Sequence, residues 1–142
     1  FISVNGASAA LCAALIASAQ LGKKLLLPRN AHRSALSALV LAGLEPVWYE
    51  CRWLSKWQCW SGPDHNELLR LIEQETPAAA LIVSPNYEGV ITDLNPFISA
   101  CKERGVLLIV DAAHGAHFCG KSLEKMNPLV QGADIVVHSL HK

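Results

Sequence analysis

Val106–Asp111, Ala79–Ser84 and Lys24–Leu27 are short apolar runs in which hydrophobic residues follow one another without polar alternation. A strand with one wet face alternates, whereas a strand covered on both faces does not. These runs therefore predict buried strands, and helices must cover them. Helical signals fill the intervals. Ser8 to Gln20 reads as a helix stopped by Gly22, and His32 to Ala42 as one closed by Gly43, where a left-handed C′ residue belongs. Asn30 or a neighbour is placed to cap the second. Asp64, with Glu67 three residues on, has the form of a capping box and opens a helix to about Glu75. Asn95 to Arg104 reads as a helix ended by Gly105. Ile2 to Asn5 (as the end of a strand), Pro46 to Glu50 and Asp134 to His138 complete the strands, and Cys51 to Pro63, with Trp53, Trp57 and Trp60, reads as irregular. Strand–helix alternation of this kind implies an α/β chain, a three-layer αβα arrangement with a mainly parallel sheet.

Composition narrows the function classes. The 142 residues are 51% hydrophobic and 17% charged, so wholesale disorder is not expected. Lys plus Arg and Asp plus Glu are 12 each, which removes the electrostatic argument for nucleic acid or an anionic membrane as a partner. No stretch reaches the ~18–20 apolar residues of a membrane helix. The five cysteines, Cys12, Cys51, Cys59, Cys101 and Cys119, are odd in number and contain no C-x-x-C pair. A reduced, cytoplasmic chain fits that usage. Cys51, Cys59 and His65 match no zinc spacing, so no metal is expected. The lone methionine is Met126 and the chain starts Phe1-Ile2-Ser3, which reads as a piece of something longer or a processed chain.

In parallel sheets, ligands bind beyond the carboxyl ends of the strands. Those ends carry Asn5-Gly6-Ala7-Ser8-Ala9, Arg29-Asn30-Ala31-His32, Ser84-Pro85-Asn86-Tyr87, Asp111-Ala112-Ala113-His114 and His138-Ser139-Leu140-His141-Lys142. Most of the chain's reactive side chains thus gather on one edge. Small residues before a helix suit a phosphate on helix N–H groups. An acid ending an apolar strand needs a partner, because an unpaired buried carboxylate is costly. A partly desolvated lysine is a nucleophile toward carbonyls. Taken singly, each group has an ordinary reading: a helix start, a cap or salt bridge, a solvated lysine. Together, a phosphate seat, an acid for a ring nitrogen, a histidine to cover a ring and a lysine for a Schiff base describe a pyridoxal phosphate site.

With these motifs the chain resembles the large domain of fold-type-I pyridoxal-phosphate enzymes (the aspartate aminotransferase superfamily), specifically the Orn/Lys/Arg decarboxylase group. The elements that carry the resemblance are Val4-Asn5-Gly6-Ala7-Ser8-Ala9, Leu27 to Ser34, Ser84 to Val90, Asp111 to Phe118 and Ser139-Leu140-His141-Lys142. The resemblance spans all 142 residues. It implies a PLP-dependent transferase-like large domain, incomplete in residues 1–142. It also implies decarboxylation of arginine, lysine or ornithine to the amine with pyridoxal 5'-phosphate, and a place in polyamine metabolism. Lys142 would form the Schiff base, Asp111 would bind the pyridine nitrogen and His32 would stack on the ring. Ser8 with the backbone of Ala7 and Ala9 would hold the phosphate, helped by Ser139 and His141, and Ala113 and His114 would lie beside the ring. The partners implied are a small amino-acid substrate and, in the full-length chain, further copies of itself as a homodimer or higher oligomer.

The chain departs from the family pattern in two places. Ala7 or Ala9 stands where a second phosphate-binding hydroxyl is usual, and Ala112 where many relatives carry an acid. The tryptophan-rich segment from Cys51 to Trp60 matches no motif and reads as packing or as a surface for a missing domain or subunit. Two other readings compete: an aminotransferase or carbon–carbon lyase using the same cofactor, and a truncated non-catalytic homologue. In the fold-type-I pattern the first strand pairs with one that follows the lysine. Ile2 to Asn5 would lack that neighbour, so the isolated piece is expected to be poorly folded and essentially inactive.

Overall fold

The structure is a computed structural model that describes residues 2–142. Five strands form one parallel sheet: β1 (Lys24–Pro28), β2 (Glu45–Tyr49), β5 (Ala79–Val83), β6 (Leu107–Ala112) and β7 (Ile135–His138), in the spatial order β2-β1-β5-β6-β7. Helices α1 (Gly6–Ser18) and α2 (Arg33–Ala42) cover one face, and α3 (His65–Glu75) and α4 (Asn95–Arg104) cover the other. This is the three-layer arrangement that the continuous apolar runs require.

Period-two geometry explains how one run serves two cores. Leu25, Leu27, Ala79, Leu81 and Ile109 point toward α1 and α2, where they meet Leu11, Leu15, Ala35 and Ala38. Their neighbours Leu26, Ala80, Ile82, Leu108 and Val110 point the other way, onto Leu68, Ile72, Phe97 and Cys101. A strand that alternated apolar and polar residues would have left one layer unattached.

The caps set the element boundaries. Gly43 and Gly105 end α2 and α4 in the left-handed conformation, at φ 60° and 67°. The Asp64 side chain accepts a hydrogen bond from the backbone N–H of Glu67 at 3.1 Å and opens α3. Asp64→Ala should lower stability by about 1 kcal/mol, read as a lower denaturation midpoint of the full-length protein.

The structure corrects three expectations. Residues 2–5 form no strand; a turn at Val4 and Asn5 leads into α1, which starts two residues before Ser8. Among the described residues no strand lies beside them, so their backbone has no ladder to join, and Ile2 and Val4 are 90% and 96% exposed. Cys51 to Pro63 is not irregular. It forms an antiparallel hairpin of β3 (Cys51–Leu54) and β4 (Cys59–Pro63), a unit separate from the main sheet. Its cross-strand partners Trp53 and Trp60 meet edge to face with centroids 4.9 Å apart. Gln58, at φ 50°, makes the turn without the glycine that usually announces one. Finally, α2 is capped not by Asn30 but by His32, as described below. Beyond β6 the chain passes through short turns and α5 (Pro128–Gln131) before β7. No described helix is long and apolar enough to cross a membrane.

Candidate functional site

β2 lies to one side of β1, whereas β5, β6 and β7 follow on the other, so the direction of winding reverses between β1 and β5. At such a reversal the flanking connections diverge and leave a crevice past the carboxyl ends of the strands. A cavity of about 400 Å³ occupies that place. Its walls come from the first turn of α1, the β1–α2 turn, the loop after β5, the end of β6 and the segment after β7.

The α1 wall is a helix N-terminus at which the Gly6 N–H is taken by the Ser3 carbonyl at 3.3 Å, while Ala7 and Ser8 face the cavity. Asn5 stands at the N-cap but makes no side-chain capping bond, and acidic residues are absent from the first turn. The first N–H groups of the helix therefore have no intrahelical acceptor. An anion is the natural complement of such an end.

His32 follows β1 and caps α2. Its Nδ1 accepts the backbone N–H of Ser34 at 3.2 Å and lies 2.9 Å from the Ser34 hydroxyl. Accepting from an N–H requires an unprotonated Nδ1, so a neutral ring carries its hydrogen on Nε2. The cap also fixes the ring's direction while leaving the side chain exposed at the cavity.

Asp111 sits in β6 and is 6% exposed. One carboxylate oxygen accepts the Ala113 N–H at 3.1 Å, and no described cation lies within ion-pair distance. Burial pushes its pKa above the ordinary 3.8; the Ala113 hydrogen bond and the nearby His32, Lys142 and His114 pull it back in part. His114 shifts the other way. Burial and the Lys142 charge lower its pKa from the usual 6.5, against the opposing pull of Asp111, and so favour the neutral ring. Its ring meets Tyr87 edge to face at 5.7 Å. Gly115 is needed behind it: a Cβ there would stand 2.8 Å from Cδ of Pro85. Gly115→Ala should displace His114 and the end of β6, and reduce cofactor affinity about tenfold, the scale of ~1–3 kcal/mol for overpacking.

Of the residues singled out from the sequence, Ala7, Ser8, His32, Asp111, Ala113, His114 and Lys142 line this one cavity. Ala9, Ser139 and His141 do not. Ser139 is buried, and its hydroxyl lies 2.9 Å from Nδ1 of His141, a contact that braces the turn carrying Lys142. The cavity also recruits residues that sequence reasoning did not assign to it: Asn30, Trp60, Tyr87 and Glu88. Asn30, Tyr87 and Glu88 were visible in the strand-end motifs. Trp60 carried no signal, because its place depends on a hairpin that folds back over the crevice. The fastening is explicit: the buried Asn86 side chain donates to the Trp60 carbonyl at 2.7 Å and accepts from the Val90 N–H at 2.8 Å.

The sequence profile described as "Orn/Lys/Arg decarboxylase, major domain" matches residues 1–142. The chain belongs to the Orn/Lys/Arg decarboxylase family. Similar curated proteins agree: it is 29% identical to an arginine decarboxylase of Halalkalibacterium halodurans over all of its own length and 29% of that protein's. It is 30% identical to an arginine decarboxylase of Bacillus subtilis, again over its whole length and 29% of the relative's. The chain thus spans less than a third of the curated relatives it matches. Among solved structures it superposes on a sphingosine-1-phosphate lyase of Burkholderia pseudomallei with a TM-score of 0.75, at 15% identity, covering 96% of this chain and 34% of that one. A PLP-bound C-S lyase of Staphylococcus hominis gives a TM-score of 0.62 at 17% identity, covering 75% and 28%. At these identities the likeness concerns the fold.

The cofactor of the Orn/Lys/Arg decarboxylase family is pyridoxal phosphate, and the donor set fits it. Uncapped helix N–H groups complement a phosphate, a buried carboxyl without a cation complements a protonated ring nitrogen, and a primary amine complements an aldehyde. Of the three, the buried carboxyl is the one that carries an electrostatic cost until a cation pairs with it.

Proposed function

We propose that this chain supplies the cofactor seat and reaction centre of a pyridoxal-phosphate-dependent decarboxylase acting on arginine, lysine or ornithine. The observation that carries the reading is the convergence of Asp111, Lys142 and the uncapped start of α1 on one cavity of about 400 Å³. When bound, the cofactor supplies an electron sink for the pair left behind as carbon dioxide departs.

The protein's part follows from its own groups. Ser8 and the N–H group of Ala7 would hold the phosphate at the positive end of α1; Ala9, which lies outside the cavity, is not needed for it. Asp111 would hold the cofactor's ring nitrogen protonated, because a buried carboxylate without a described cation is complemented by a positive charge. His32, held by its cap on Ser34, would cover one face of the ring. Lys142 would hold the cofactor through its primary amine, the nucleophile that an aldehyde complements. Ser139 and His141 orient the turn that carries this lysine.

The test is product analysis on the full-length, cofactor-loaded protein offered arginine, lysine and ornithine in turn. Release of carbon dioxide with formation of the matching amine is the expected result. Formation of an oxo acid by amino-group transfer, or no turnover of any basic amino acid, would overturn the reading.

A further inference from the structure

The cavity contains more charge than the cofactor explains. Asp111 and Lys142 are matched to the ring nitrogen and the aldehyde, and the α1 terminus to the phosphate. Glu88 remains. It lines the same cavity from the loop after β5, and no described cation lies within ion-pair distance of it. A phosphate would be repelled by it, so the anionic end of the cofactor and Glu88 must occupy different parts of the space.

Trp60 lines the same cavity as Glu88. It also lines a smaller one of about 160 Å³, whose other walls include Asn30, Glu50 and Arg29. Asn30 and Trp60 are common to both cavities, so they form the boundary between the two. Asn30 Oδ1 is buried there without a hydrogen-bond donor. The neighbouring charges do not cancel Glu88. Arg29 lies 3.3 Å from Glu50 and also stacks over Trp48 at 4.9 Å, so this pair is internally neutral. Glu88 reaches far enough to help raise the buried Cys51 thiol, at the wall of the smaller cavity, to about 11, after burial and Glu50. The shared lining therefore offers an exposed carboxylate with no described ion-pair partner, an indole and a buried amide oxygen lacking a donor. A guanidinium or ammonium group, which has donors only and attracts aromatic faces, is the complement of all three.

We propose that Glu88 and the face of Trp60, with the side-chain amide of Asn30, take the cationic end of the substrate's side chain. This rests on the functional reading above and deepens it, by assigning the residues that separate a basic amino acid from a neutral one. The hairpin β3–β4 then has a purpose in the site. It brings Trp60 to the crevice, and Asn86 ties it to the loop that carries Glu88, so both walls of the subsite hold one spacing.

The experiment compares steady-state kinetics of the full-length, cofactor-loaded protein and its Glu88→Gln variant on arginine, lysine, ornithine and the uncharged norleucine. The visible absorption band of the lysine-bound cofactor is recorded for each. Glu88→Gln is expected to raise KM for the preferred basic substrate about 10- to 100-fold, the range for losing a charged hydrogen bond. The fall in kcat should be smaller, the ratio of kcat/KM for basic substrate over norleucine should drop by a similar factor, and the band should persist. Trp60→Leu should erode the same ratio, and Trp60→Phe should restore part of it. A wild-type enzyme that favours basic substrates beside an equally selective Glu88→Gln variant would overturn the assignment of Glu88 and leave the proposed function standing. A wild-type enzyme that favours norleucine would overturn the proposed function, and this assignment with it.

Discussion

Lys142→Ala in the full-length protein is expected to lose the visible absorption band given by pyridoxal phosphate bound to a lysine, and to lose turnover by ~10⁴-fold or more, the scale of deleting a covalent nucleophile. The two readouts are informative together. Lys142 lines the cavity and makes no hydrogen bond or ion pair among the described residues, and the melting temperature of the cofactor-free variant is the control for folding. A variant that kept the band would move the covalent link to another amine. A variant that unfolded would show Lys142 to be a structural residue.

Asp111→Asn should split stability from activity. Burial raises the Asp111 pKa above 3.8, so the folded state binds the proton more tightly than the unfolded chain does. The group's contribution to stability is then fully present below about 3.8 and is lost as pH rises through the folded-state value. At pH 7 the cofactor-free fold therefore carries the cost of a desolvated carboxylate. Asparagine removes that charge, and its amide oxygen can still accept the Ala113 N–H. The cofactor-free variant should melt at a higher temperature than wild type at pH 7, and the difference should shrink as pH falls toward 4. With cofactor the order reverses. The protonated ring nitrogen gives the carboxylate a cation to pair with, so wild type should gain more from cofactor than the variant. Turnover of the variant should fall ~100-fold or more, as when one preorganised electrostatic group is removed. Calorimetric melting with and without cofactor, at pH 4 to 7, checks both signs. A variant less stable than wild type without cofactor at pH 7 would contradict the burial argument.

The layered fold could be read from the chain because its cause is local. A continuous run such as Leu108-Ile109-Val110 must bury both faces whatever surrounds it, and Gly43 and Gly105 end helices by their own backbone freedom. The strand at residues 2–5 could not be read in the same way, since a ladder needs a neighbour and the apolar pattern of one segment does not supply it. The hairpin failed in the opposite direction. Its turn lacks glycine, and it is held by a cross-strand Trp53–Trp60 contact and by Asn86, 26 residues from Trp60. His32 drew attention as a ring-covering group, but its cap on Ser34, which sets the ring's direction, appears only in three dimensions.

The sequence by itself determined which residues are chemically able: a carboxyl ending an apolar strand, a histidine after β1, a lysine after β7 and small residues before a helix. Parallel winding places strand ends on one edge, so even their common side was legible. Only the tertiary structure decided their environment. The depth of Asp111, the lowered pKa of His114 and the lining of one cavity by Trp60, Asn30 and Glu88 depend on contacts between distant segments. Charge and solvation are set by everything packed around a group, and no pattern along a single strand or helix specifies that packing.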